Sequence, residues 1–253
     1  MSGIFRSLQQ PLSIVLAAGC VTIATPVAAQ HASPGVQKSA VDAAARMGEY
    51  LRSLKSFEVT SDVTLSAIEE GQKAQTQMNV TYKVRRPDAF VIDAVSDRKS
   101  RRFIYDGRSF TVFAPKVGYF ATVSAPATIN QTAEVIYQTY GVALPLADLF
   151  YWGEGAPPAD GVTTAQKVGA ERIGGVETDH YRFGNAEISW QIWIERGSRP
   201  APRRVVIETL GDPAKPTYDA RLTWNADPSF AADTFTFTPA KDAKPIELAR
   251  VSP

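Results

Sequence analysis

The run Ala74-Gln75-Thr76-Gln77-Met78-Asn79-Val80-Thr81-Tyr82-Lys83-Val84 alternates polar and apolar side chains with one lapse, at Thr76. A period of two held over that length belongs to a long β-strand with one wet face and one dry face. Gln75, Gln77, Asn79, Thr81 and Lys83 take the wet side; Ala74, Met78, Val80, Tyr82 and Val84 take the dry one. Arg86-Pro87 stops the strand, because proline cannot donate to a ladder and keeps its predecessor out of helical space. Shorter runs follow at 89–95, 102–105, 110–113 and 119–123, broken by Asp106-Gly107 and Pro115-Lys116-Val117-Gly118. Asp-Gly between apolar runs signals a hairpin, since glycine takes the positive φ that the turn requires. The pattern predicts an antiparallel meander whose dry face has to be covered.

Before the meander, Phe57, Val59, Val63 and Leu65 alternate in a first strand, and Glu69-Glu70-Gly71 turns it into the long second one. Ala40, Ala44, Met47, Leu51 and Leu54 recur at spacings of three and four. They predict an amphipathic helix, capped at Ser33-Pro34, with proline in the first helical position. Past 123 the spacing of Ile129, Ala133, Ile136, Tyr137 and Tyr140 predicts a second helix, ended by Gly141. A third, short and very apolar, is expected over 144–152, with Leu146, Leu149, Phe150 and Trp152 as its large side chains. The stretch 153–161 reads as a loop within one domain, because neither half alone completes a sheet. A second meander is expected at 167–173, 178–183, 188–195, 203–210 and 218–224, with a last short strand or edge at 234–239. The sum is a mainly β (α+β) fold: a curved antiparallel sheet of nine to eleven strands with helices against one face. Few, short helices on so large a sheet leave room for a partly filled apolar cavity, the kind of site that takes apolar ligands.

The start of the chain predicts export. Arg6, the apolar stretch 12–25 and the small residues up to Ala29 have the order of a signal peptide, with cleavage expected after Ala29 and residues 30–253 forming a single domain. The stretch is shorter than the roughly 20 residues of a membrane span. Leu16-Ala17-Ala18-Gly19-Cys20 also has some likeness to a lipidation signal, so anchoring through Cys20 is the alternative. Cys20 is the one cysteine, so a chain cut after Ala29 has neither disulfide framework nor thiolate chemistry. Lys+Arg 27 against Asp+Glu 26 is a balanced charge, which argues against nucleic acid.

Chemistry-bearing motifs are absent. His31 and His180 are the two histidines, and His180 points away from Asp179 if both lie in one strand. No HExxH, CxxC, GxSxG or phosphate-cradling glycine loop occurs, so neither catalysis nor a cofactor nor a metal is expected. The informative side chains are large and apolar: Trp190, Ile192 and Ile194 alternate with Gln191, Trp193 and Glu195. Tyr218, Ala220, Leu222 and Trp224 alternate with Asp219, Arg221 and Thr223. Val63, Met78, Val80, Tyr82, Phe90 and Ile92 from the first half, with Trp190, Ile192, Leu222 and Trp224 from the second, are the candidate ligand-cavity wall. Leu146, Leu149 and Phe150, from the short helix expected as a lid, complete that candidate ligand-cavity wall.

Lys83-Val84-Arg85-Arg86-Pro87, Phe90, and Tyr105-Asp106-Gly107-Arg108-Ser109-Phe110-Thr111-Val112-Phe113-Ala114-Pro115 together resemble the periplasmic lipoprotein carriers of the LolA/LolB type. More narrowly, Trp190-Gln191-Ile192-Trp193-Ile194-Glu195, Arg199-Pro200, Pro202-Arg203 and the Phe235-Thr236-Phe237 ending look like an uncharacterised family of exported bacterial proteins grouped with those carriers. The resemblance covers roughly 36–248. It implies an open half-barrel of about eleven strands closed by a helical lid over an acyl-chain pocket. The carriers' lid-holding arginine falls on Arg86, with Arg85 equally cationic beside it. The cargo it implies is a lipid or lipoprotein acyl chain, bound by a periplasmic monomer. The alternative is an envelope protein-interaction or scaffold domain with a filled core and no ligand.

Overall fold

The computed structural model describes residues 35–69, 72–147 and 161–251. Its backbone is organised around two long strands, β1 (Ser56–Glu69) and β2 (Gln72–Arg85), paired antiparallel along their whole length from Ser56↔Arg85 to Glu69↔Gln72. The meander continues through β3 (Ala89–Ser96), β4 (Ser100–Tyr105), β5 (Ser109–Ala114) and β6 (Tyr119–Ser124). A second meander runs through β7 (Thr164–Ile173), β8 (Val176–Gly184), β9 (Ile188–Glu195), β10 (Pro202–Thr209) and β11 (Thr217–Asn225). The two halves are fused where β11 pairs antiparallel with β1, Asn225 opposite Glu58 and Thr217 opposite Ser66. With β12 (Lys244–Pro245), which pairs parallel to β6, the described strands form one sheet in the order β12-β6-β5-β4-β3-β2-β1-β11-β10-β9-β8-β7. The sheet does not close on itself, and the expected open half-barrel is what the chain builds.

The Asp106-Gly107 turn works as its chemistry requires. Gly107 sits at φ 91°, and the Asp106 carboxylate accepts from the Arg108 and Ser109 N–H groups and from Ser109 Oγ. Burial alone would raise the Asp106 pKa, but these bonds outweigh it and hold the group below its ordinary value.

Two helices are described. α1 (Lys38–Ser53) lays Ala40, Ala44, Met47 and Leu51 on the sheet's inner face. It starts later than the expected cap. Ser33-Pro34 lies outside the described residues, and Val36-Gln37 is held extended against β7, with Gln37 N donating to Ala165 O and Lys167 N donating to Gln37 Oε1. α2 (Ile129–Tyr140) begins at Thr128, whose hydroxyl accepts from Gln131 N, and is tied down by Ile129 N donating to Pro87 O. It ends at Gly141 in the left-handed conformation (φ 65°), as the helical spacing and the glycine anticipate.

Two expectations are corrected. The helix expected over 144–152 does not include 145–147, which form a turn with Leu146 at φ 43°. Leu144, Leu146 and Ala147 are all buried in the main core, and burying all three outranks helical propensity in so short a segment. Leu149, Phe150 and Trp152, like the loop at 153–160, lie outside the described residues. The strand expected at 234–239 is a series of turns instead, closed by Thr234 N to Ala231 O and Thr236 N to Asp233 O. Phe235 fills a small second core on the outer face with Ala89, Val91 and Ile104, while Phe237 packs on Phe113 and Phe120. The tail thus covers the outer face of the first meander, and β12 takes the sheet edge.

Candidate functional site

Along β2 the alternation translates directly into burial: Val80, Tyr82 and Val84 are buried, while Gln75, Gln77 and Asn79 are exposed. A slip of one residue would have inverted the set. Val63, Val80, Tyr82, Phe90, Ile92, Leu146, Trp190, Ile192 and Leu222 all belong to one continuous apolar cluster on the inner face. Met78 and Trp224 are half-buried side chains packed at its margin. Met78 lies beyond most of β3, opposite Ser96, the last residue of that strand. Trp224 sits near the other end, where its Nε1 donates to Pro202 O at 2.7 Å and its ring lies 5.5 Å from Phe57.

Several inner-face residues were not singled out from the sequence. Phe183 stacks on Trp190 at 4.1 Å, and Tyr105, Phe110 and Phe103 continue the wall into β4 and β5. Ser61 also lies here, fully buried opposite Val80 and Leu222. The alternation Phe57, Val59, Ser61, Val63 did carry that signal. Burial raises the Tyr82 phenol well above its ordinary value, and Tyr218 adds to the effect.

Arg86 is half-buried at the end of β2. Its backbone N–H donates to Lys55 O at 2.8 Å and its guanidinium lies 5.9 Å from the centre of the Phe57 ring. The stretch 148–152, which a latch would hold, is outside the described residues. Arg85 points elsewhere, 5.0 Å from the Phe235 ring on the outer face. Between α2 and the 142–147 turn is a cavity of about 10 Å³, bounded by Ala133, Tyr137, Val142, Leu144 and Ala147. That volume suits one water molecule.

The outer face of the second meander carries polar chemistry, but of a self-satisfied kind. His180, Trp193 and Arg204 stand in one cross-strand row. His180 stacks on Trp193 at 4.0 Å, with Arg204 4.7 Å from the indole centre, and Trp193 Nε1 donates to Glu171 at 2.6 Å. Asp179 points to the other face, as expected, where it binds Arg196 and Lys167. Among the described residues no group of three or more His, Cys, Asp or Glu side chains is placed to hold a metal, and no helix is long and apolar enough to cross a membrane.

Comparison with known proteins adds the family. Among solved structures, an uncharacterised conserved protein from Thermus thermophilus is similar at a TM-score of 0.47 and 11% identity, covering 83% of this chain and 99% of that one. LprF from Mycobacterium bovis is similar at a TM-score of 0.44 and 14% identity, covering 79% and 99%. A LolA superfamily protein from Nitrosomonas europaea is similar at 0.36 and 13% identity, covering 78% and 97%. No match was found among curated protein sequences. A family model described as a predicted periplasmic protein, DUF2092, matches residues 40–249, and the chain therefore belongs to the DUF2092 family.

Proposed function

We propose that the protein is a non-catalytic binding protein of the periplasm that holds a lipid, a lipoprotein acyl chain or another amphiphile against the inner face of its open half-barrel. The observation that carries this reading is the inner face itself. It is one continuous layer of buried, mainly apolar side chains, from Phe110 on β5 to Phe183 on β8, in a sheet that remains open. Each methylene transferred from water to such a surface contributes about 0.8 kcal/mol, so affinity needs no ionisable group. In this reading the chain is exported through residues 1–29, cut after Ala29 and works as a monomer. The segment following Leu146 is the lid that admits the ligand, and Arg86 is its latch.

Native mass spectrometry of protein purified from the periplasm is expected to show a co-purified lipid, and the delipidated protein to take up a fluorescent fatty-acid probe. Ile192→Glu places a charge in the apolar wall and is expected to abolish uptake. Ile192→Ala, which leaves the wall apolar, weakens it, and His180→Ala leaves it unchanged. A protein that is folded, lipid-free and inert to the probe would sink the proposal. A second reading draws on the close seating of α1, whose Ala40, Ala44 and Met47 are fully buried on the same inner face. It makes the chain an envelope protein-interaction domain with a filled core, and is favoured by that last outcome.

A further inference from the structure

The dry face of β1 carries a serine where its neighbours on that face are Phe57, Val59 and Val63. Ser61 is 0% exposed and lies between Val80 on β2 and Leu222 on β11. Tyr82, its diagonal neighbour on β2, is 0% exposed as well. Ser61 Oγ has no partner at hydrogen-bonding geometry, and the Tyr82 hydroxyl has none beyond the Tyr218 side chain that bears on it. Tyr218 is the polar side chain that bears on Tyr82, although it stands opposite Leu65 on β1 while Tyr82 stands opposite Val59. Ser61 and Val63 lie between their two register positions on β1, where the adjacent wall residues Val80 and Ala220 are small.

Buried hydroxyls left unpaired are costly and rare in native interiors. Packing does not call for the Ser61 hydroxyl, since alanine would fit there, and Tyr218 is the one polar side chain that bears on the Tyr82 hydroxyl. We propose that Ser61 and Tyr82 are a polar subsite within the apolar wall, donating hydrogen bonds to an uncharged acceptor on the bound amphiphile, an ester or amide carbonyl. This rests on the carrier reading above and narrows its ligand. A carbonyl fits better than a carboxylate, which would have to shed its hydration among Val59, Val80 and Leu222 with no compensating charge from the two hydroxyls. Burial keeps the phenol protonated, hence a donor, at any pH where the protein works. A few convergent polar groups in an apolar pocket orient a ligand without supplying most of its affinity.

The test uses the delipidated full-length chain and two dansyl probes of equal length, one with an unbroken alkyl chain and one with an ester within it. Wild type is expected to prefer the ester probe by about tenfold, the worth of one or two buried hydrogen bonds. Tyr82→Phe and Ser61→Ala are each expected to reduce that preference, and the double variant to erase it, with alkyl-probe affinity and thermal midpoint held or raised. Preference unchanged in both variants would overturn the subsite. So would a lowered midpoint with unchanged preference, which would assign the hydroxyls to a structural water. Wild type that binds neither probe overturns the carrier reading, and the subsite with it.

Discussion

His180 shows how one neighbourhood sets the state of a titratable group. Burial against Trp193 draws its pKa below the ordinary value, and the Gln191 amide, 3.0 Å from Nε2, only partly restores it. The folded chain therefore binds this proton less readily than the unfolded one. Its contribution is fully present above the unfolded value of about 6.5 and is lost as pH falls from there toward the folded value. Chemical denaturation at pH 7.5 and 5.5 should show wild type losing stability on acidification, and His180→Gln losing less. Equal losses would remove the histidine from the account. On the inner face, Val80→Asp buries a charge among Tyr82, Val63 and Ile92 and is expected to cost several kcal/mol. Asn79→Ala, one position along on the wet face, is expected to cost no more than about 1 kcal/mol, the worth of its bond to Asp62. Equal costs from urea titrations of the two variants would contradict the register of β2.

Elements are held here by their ends and by what crosses them. α2 stops at Gly141, and a Cβ built there would approach Val251 Cγ1 to 2.9 Å in a backbone conformation that side chains avoid. Gly141→Ala should destabilise by roughly 1–2 kcal/mol and raise amide exchange in the last turn of α2 and around Val251, whose N–H donates to Thr139 O. Protection unchanged at both places would show that this end of α2 is not held by its cap. The tail behaves as an element without regular structure. Phe235 is buried against Ala89, Val91 and Ile104, so Phe235→Ala is expected to cost about 3–5 kcal/mol by calorimetry or denaturant. A cost under about 1 kcal/mol would mean that the tail only rests on the sheet. The helical spacing of Ile129–Tyr140 and the glycine after it made α2 legible in the sequence, because both signals are local. The Phe235-Thr236-Phe237 spacing was misleading. Alternation marks a strand only when a free ladder is available, and here the aromatic residues meet a face of the sheet instead of an edge.

At the scale of the molecule, two meanders become one sheet because β1 pairs on both sides, with β2 along its whole length and with β11 from Glu58 to Ser66. That pairing joins residues far apart in the chain and has no local signature. The sequence predicted each meander but not where they fuse. It likewise placed Trp193 on the outer face without showing that His180, Arg204 and Glu171 would bury it there. By itself the sequence determined what depends on neighbours in the chain: the strands and their dry faces, the Asp106-Gly107 hairpin, the two described helices, and an inner wall made of Val80, Tyr82, Phe90, Trp190 and Ile192. Periodicity is enough for these, since a pleated strand turns alternate side chains to one face wherever it lies. Tertiary structure alone decided which faces meet. It turned 145–147 away from helix so that Leu144 and Leu146 reach the core, carried the C-terminal tail across the outer face, and set Ser61 beside Tyr82 on neighbouring strands. These outcomes depend on contacts between distant segments, whose free energy no local pattern encodes.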